Sequence, residues 1–186
     1  RTALLGSVMI LAPDDTGRPV TSGSGTILTP QGHILTNFHV IGDTATGKYE
    51  NKKGLYFVGI SSPELNTKPD ILYLAQVVKG AKNLDLALLR IVAMKDGSKL
   101  PADLKLTMVP VGDSDTVQIG VDISVIGFPT LGDGTVTFTK GSVSGFVEDT
   151  ESTVTWIKTD TEIIPGNSGG TAINNKGELV GIPTQV

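Results

Sequence analysis

Gly166-Asn167-Ser168-Gly169-Gly170 is the stretch on which the reading of this chain turns. Glycines on both sides of a serine let the backbone turn tightly and bring bare peptide groups close to a ligand. A serine hydroxyl is a poor nucleophile at neutral pH and needs a neighbouring base to take its proton. It also needs backbone N–H groups aimed at the oxygen that becomes negative during acyl transfer. Taken alone, the pentapeptide is also ordinary turn chemistry, so its meaning depends on what lies upstream.

Two upstream residues matter. His39 lies in Leu35-Thr36-Asn37-Phe38-His39-Val40, just after two short strands, Thr26 to Leu28 and His33 to Leu35, joined by a Pro-Gln-Gly turn. In that position its side chain can project into a cleft, and histidine is the usual general base because it titrates near neutrality. The other histidine, His33, falls within a strand beside a turn and reads as structural. Asp85 lies in Asn83-Leu84-Asp85-Leu86-Ala87-Leu88-Leu89, an apolar run in which a buried carboxylate needs a partner. A histidine that must be held in one tautomer is such a partner; a strand-edge aspartate facing solvent is the other reading of that segment.

In this order and these settings, His39, Asp85 and Ser168 resemble the chymotrypsin-fold serine proteases, and more narrowly the bacterial HtrA (high-temperature-requirement) family. The matching pieces are Gly23-Ser24-Gly25-Thr26-Ile27-Leu28, Leu35-Thr36-Asn37-Phe38-His39-Val40, Asp85-Leu86-Ala87-Leu88-Leu89 and Gly166-Asn167-Ser168-Gly169-Gly170. Ile123 to Pro129, Thr139 to Gly145 and Lys158-Thr159-Asp160 match between them, so the resemblance covers roughly residues 20 to 186. It implies Ser168 as nucleophile, His39 as general base and then general acid, and Asp85 as the group that orients His39. It implies an oxyanion hole from the N–H groups of Gly166 and Ser168, with Asn167 between them. Digestive-type relatives carry an aspartate at the position of Asn167, which pairs with a freshly cleaved N-terminal amine. An asparagine cannot form that ion pair, so regulation through loop ordering or a partner is expected instead.

The same resemblance implies a substrate pocket. One wall is the segment before the serine, here Glu162, Ile163, Ile164 and Pro165, and the other the segment Pro183, Thr184, Gln185 and Val186, whose backbone would pair with an extended peptide. Glu162 stands roughly where trypsin-type enzymes place a carboxylate at the pocket base, while the HtrA resemblance implies a preference for small aliphatic residues. Relatives continue beyond the position of Val186, so a truncated second barrel, a following PDZ domain or another regulator are expectations carried by the family. So is an extracytoplasmic location, periplasmic or secreted. Family trimers rely on aromatic residues near the N-terminus; Arg1 to Ile10 contains none, which leaves the oligomeric state open. The first residue is Arg1 rather than methionine, as in a processed form or a fragment, and no secretory signal precedes the first strand.

Composition agrees. The 186 residues include 23 glycines and 10 prolines among many Val, Ile and Thr, the makeup of an all-β chain with tight turns. The formal net charge of −4 gives no footprint for nucleic acid, and no apolar run is long enough for a membrane span. Lys48, Lys52 and Lys53 read as a solvated loop. With no cysteine there is no disulfide framework and no thiolate metal site, and two dissimilar histidines argue against zinc. No cofactor and no metal are expected.

The expected fold is two six-stranded antiparallel β-barrels with the site in the cleft between them. Residues 1–100 form the first, carrying His39 and Asp85, and 101–186 the second, carrying Ser168. Strands are expected at Leu4–Leu11, Gly25–Leu28, His33–Thr36, Leu55–Ile60, Ile71–Val78 and Leu86–Val92. The second set is Val121–Ile126, Thr135–Thr139, Ser142–Val147, Val154–Lys158, Gly170–Ile173 and Leu179–Ile182. The stretch from Gly42 to Asp70 is expected as a surface loop around one strand. The function expected is a serine endopeptidase acting on extended or unfolded polypeptides through an acyl-enzyme; the alternative is a latent module of the same fold that binds protein.

Overall fold

A computed structural model of the chain describes residues 1–129, 134–149 and 154–184. After the short helix α1 (Thr2–Gly6) come β1 (Ser7–Pro13), β2 (Pro19–Ile27), β3 (His33–Thr36) and the one-turn helix α2 (Phe38–Ile41). The small hairpin β4 (Gly42–Asp43) and β5 (Lys48–Tyr49) precedes β6 (Leu55–Ile60), β7 (Asp70–Ala81), a 3-10 turn at Lys82–Leu84, and β8 (Leu86–Met94). The chain then runs without a named strand to β9 (Asp122–Gly127), followed by β10 (Thr137–Asp149), β11 (Val154–Thr159), β12 (Thr171–Ile173) and β13 (Leu179–Gly181).

The first six long strands close into a barrel in the order β1-β2-β3-β8-β7-β6, with every described pairing antiparallel. Alternation explains why it closes. In β3 Ile34 points inward, in β6 Tyr56 and Val58, and in β8 Ala87, Leu89 and Ile91, while Arg90 faces out. These side chains fill one core with Val8, Ile10, Ile27 and Ala75. Gly25 has no side chain because there is no room for one: a Cβ there would lie 2.6 Å from Ile34 and 2.8 Å from Ile10.

The second unit is a five-stranded sheet in the order β11-β10-β9-β12-β13, a half-barrel among the described residues. Its inner face packs Ile123, Val125, Val143, Ala172 and Val180. A second cluster, Ala3, Val109, Ile126, Ile173 and Leu179, brings α1 against this sheet. The two-barrel, mostly β architecture is therefore the one the sequence implies, with the second barrel represented by five strands. No helix among the described residues is long and apolar enough to cross a membrane.

Several local expectations change. Leu4 to Gly6, expected in the first strand, are helical; Ser7 Oγ donates to the Ala3 carbonyl at 2.8 Å and so satisfies one of the carbonyls left open at the helix end. Thr137–Thr139 and Ser142–Val147, expected in two separate strands, belong to the single strand β10, which pairs with β9 through Ser142 and with β11 from Val143, while Thr135 and Val136 precede it. The Lys140-Gly141 step between those two expected strands is a close approach within the strand. A Cβ on Gly141 would meet Asp160 Oδ1 and the Thr161 amide, and Asp160 Oδ1 accepts the Ser142 N–H. The stretch from Gly42 to Asp70 holds the β4–β5 hairpin as well as β6.

Tyr56 links the core to α2. Its ring is fully buried and its hydroxyl donates to the Ile41 carbonyl at 2.6 Å, a carbonyl that also accepts the Glu50 N–H at 2.9 Å. Burial pushes the phenol up to about 12. The neutral form is the one the fold favours, so its contribution is complete below about pH 10 and is lost as pH rises through about 12. Tyr56→Phe should therefore cost about 1 kcal/mol near neutrality and should flatten the alkaline fall in stability, both read by urea unfolding across pH. An unchanged stability with an unchanged alkaline fall would show that this bond carries nothing.

Candidate active site

His39 lies on α2, the single helical turn after β3, and Asp85 lies where the 3-10 turn passes into β8. Asp85 adopts a left-handed backbone, φ 49° and ψ 41°, a region few residues other than glycine enter and one that aspartate tolerates better than most. That conformation turns both ends of the residue toward α2. The Asp85 carbonyl accepts the Phe38 N–H at 3.0 Å and Asn37 Nδ2 at 2.8 Å. Its carboxylate accepts the His39 backbone N–H on Oδ1 at 2.9 Å and meets His39 Nδ1 on Oδ2 at 2.7 Å. A carboxylate on Nδ1 selects the tautomer with the proton there and leaves Nε2 free to accept one. Thr184 Oγ1 donates to the same Oδ2 at 3.4 Å. The His39 and Asp85 side chains are 39% and 21% exposed, so the pair is partly open to solvent.

Ser168 is buried at the centre of a tight turn between β11 and β12. The Asn167 N–H donates to the Ile164 carbonyl at 2.9 Å, the Gly170 N–H to the Asn167 carbonyl at 3.0 Å, and the Gly169 N–H to the Pro183 carbonyl at 3.0 Å. Gly166 (φ 101°) and Gly169 (φ 80°) both occupy the left-handed half of the map. At Gly169 a side chain is excluded on steric grounds as well, since a Cβ would run into Thr36 Oγ1 and the Ser24 carbonyl. Neither the Gly166 nor the Ser168 N–H has an acceptor among the described residues.

The two turns lie side by side. The Ser24 N–H donates to the Ser168 carbonyl at 2.9 Å, and a Cβ on Gly23 would touch Val40, next to His39, and lie 3.3 Å from that same carbonyl. Three buried hydroxyls support the seam behind them: Ser7 and Thr26 each bond Thr171, at 2.6 and 2.7 Å, and Thr26 Oγ1 donates to the Gly170 carbonyl at 3.1 Å. His39 and Asp85 are thus joined directly, whereas no hydrogen bond links Ser168 Oγ to His39 among the described residues.

Asn167, between the two free N–H groups, is 1% exposed, and neither its side-chain oxygen nor its nitrogen has a partner. Arg1 is occupied elsewhere, its Nη2 donating to the Pro63 carbonyl at 2.8 Å. Of the residues expected to bind substrate, Ile163, Pro183 and Thr184 line an open cleft of about 1550 Å³ together with Val180 and Ile182. Glu162 is exposed and outside that lining, its carbonyl accepting Thr139 Oγ1 at 2.9 Å, and Ile164 and Pro165 are outside it too. Gln185 and Val186 lie outside the described residues. Sequence reasoning did not single out Asn37 or Ser24. A serine between two glycines within a strand was the available signal, since glycine in a strand marks a close backbone approach. No group of three or more His, Asp or Glu among the described residues could hold a metal ion.

The chain has known relatives. The family description Trypsin-like peptidase domain matches residues 23–182. A Marinomonas sp. protein named periplasmic serine endoprotease DegP-like is 36% identical over 175 residues, 94% of this chain and 32% of the relative. Protease Do-like 1, chloroplastic, of Arabidopsis thaliana is 34% identical over 174 residues, 90% of this chain and 34% of the relative. A Synechocystis sp. protein named serine protease HhoB is 32% identical over 180 residues, 95% of this chain and 37% of the relative. The chain spans about a third of the length of these relatives. With the two-barrel topology and a family match running from Gly23 in β2 to Ile182 beyond β13, the chain belongs to the trypsin-like peptidase domain family.

Proposed function

We propose that this chain is a serine endopeptidase domain that cleaves extended or unfolded polypeptides through a Ser168–His39–Asp85 triad. The observation that carries the reading is the doubly bonded His39–Asp85 pair set beside a glycine turn with two unengaged N–H groups. Residues 1–100 contribute the base and its carboxylate, and 101–186 the nucleophile. His39 Nε2 takes the proton from Ser168 Oγ as that oxygen attacks the scissile carbonyl carbon. The Gly166 and Ser168 N–H groups receive the oxyanion, and negative charge placed on preorganised donors in this way is usually the largest catalytic term. His39 then protonates the leaving amine, and water repeats the sequence on the acyl-enzyme. In this reading the Ser168 Oγ–His39 hydrogen bond forms when substrate enters, since catalytic hydrogen bonds are often long or unformed in unliganded sites.

A small aliphatic residue before the scissile bond is proposed from the HtrA resemblance; Ile163, Val180 and Ile182 supply aliphatic surface in the cleft, whose lining includes neither His39 nor Ser168. Exposed Glu162 is not positioned as a pocket-base carboxylate. The relatives' names, one periplasmic and one chloroplastic, support an extracytoplasmic compartment. Regulation by a following PDZ domain or another partner belongs to the same proposal. A latent, polypeptide-binding module is the second reading, favoured by the unpaired Asn167 amide.

Hydrolysis of an unfolded polypeptide separates the two. Ser168→Ala should abolish turnover without changing the fold, and Asp85→Asn should lower it by on the order of 10⁴ through the wrong histidine tautomer. Binding without cleavage by the parent protein would establish the latent reading. In peptides differing only before the scissile bond, valine should be preferred to arginine, and Glu162→Ala should leave that preference intact. Faster cleavage after arginine, lost in Glu162→Ala, would overturn the aliphatic assignment.

A further inference from the structure

Ser24 is fully buried in β2, within the Gly23-Ser24-Gly25 motif that the catalytic reading leaves without a role. Every polar group it has is engaged. Its N–H donates to the Ser168 carbonyl at 2.9 Å and its carbonyl accepts Thr36 Oγ1 at 2.7 Å. Its hydroxyl donates to the Gly166 carbonyl at 2.6 Å and accepts the Phe128 N–H at 2.8 Å. The space for that hydroxyl exists because residue 127 is glycine: a Cβ there would lie 3.0 Å from Ser24 Oγ and 2.7 Å from Asn167 Oδ1.

We propose that Ser24 is a positioning residue for the oxyanion-binding turn, acting from the first barrel across the seam. The proposal rests on the serine endopeptidase reading and says how that site is held in register. Peptide groups are planar, so fixing a carbonyl fixes the N–H on the same unit. The unit joining Gly166 to Asn167 is held at both ends, its carbonyl by Ser24 Oγ and its N–H by the Ile164 carbonyl. The unit joining Asn167 to Ser168 is held through the Asn167 carbonyl by the Gly170 N–H. Gly166 rotates easily at φ 101°, and without the Ser24 hydroxyl its carbonyl would lose the only partner it has among the described residues. The Gly166–Asn167 unit lies between the two units that carry the Gly166 and Ser168 N–H groups, so losing this restraint loosens the Gly166 φ and ψ that set the angle between the two donors. Among the described residues, Ser24 is the side chain that couples the turn both to a strand of the first barrel and to Phe128 just after β9.

The test compares a peptide ester with its thionoester, whose sulfur is a poor acceptor for the same two N–H groups. Ser24→Ala should lower kcat for the ester by on the order of 10², as loss of an oxyanion donor does, with KM unchanged. It should also shrink the ester-over-thionoester preference by on the order of 10-fold. Ser24→Cys, with a weaker donor of similar size, should fall between Ser24→Ala and the parent on both measures, and provides the result if the alanine variant does not fold. Thr26→Val removes a neighbouring seam hydroxyl and should lower the melting temperature while leaving the ester preference at the parent value. Parent-like kcat and preference in folded Ser24→Ala or Ser24→Cys would overturn the role of Ser24 and leave the endopeptidase reading standing. A parent protein that hydrolyses neither ester would remove that reading, and the role of Ser24 with it.

Discussion

Between the Ser24 N–H in the first barrel and the Ser168 carbonyl in the second runs a backbone hydrogen bond of 2.9 Å, and the site depends on how closely it draws the two units together. So short a contact between backbones leaves no room for side chains at the crossing, which accounts for Gly23, Gly127 and Gly169 in physical terms. It brings Ser168 beside β2, whose neighbour β3 leads into α2, and α2 carries His39. The buried hydroxyls of Ser7, Thr26 and Thr171 satisfy one another along the same seam, so polar groups can be enclosed there without being orphaned.

The surroundings of the proposed centre are less comfortable. Asp85 is held in a backbone conformation that a non-glycine residue rarely adopts, and Asn37 Oδ1 and both polar atoms of the Asn167 amide are buried without partners. Each buried unpaired group costs about 1–3 kcal/mol. The fully packed first barrel, with Val8, Ile10, Ile34, Tyr56, Val58 and Leu89 at its core, supplies the stability against which such costs are tolerated. Strain gathered around a few residues while the scaffold stays regular is what a site built for positioning requires.

His39, Asp85 and Ser168 could be proposed from the sequence as candidates because each has a distinctive local setting: a polar residue after a strand, a carboxylate in an apolar run, a serine between glycines. The strands of the first barrel were legible for a similar reason, since Leu55–Ile60 and His33–Thr36 alternate inward and outward side chains. What could not be read depends on neighbours distant in the chain. The break expected between Thr139 and Ser142 is bridged at Gly141, where Asp160 and Thr161 pack against the backbone. The left-handed Asp85 follows from the bonds its two ends make to α2, and no propensity announces it. Glu162 can be located from its distance to Ser168, but its exposure cannot be read there, because it depends on how this segment packs on β10, whose Thr139 Oγ1 donates to the Glu162 carbonyl.

Reaction of the folded protein with a fluorophosphonate, followed by intact mass and peptide mapping, tests the central claim most directly. The reagent needs a nucleophile, a base and an oxyanion site assembled together, and it needs no knowledge of the substrate. The account expects one adduct, on Ser168, absent from Ser168→Ala and strongly reduced in His39→Ala. A folded protein that takes up no adduct, or takes it up elsewhere, would contradict the assembly of Ser168, His39 and Asp85 into a working centre.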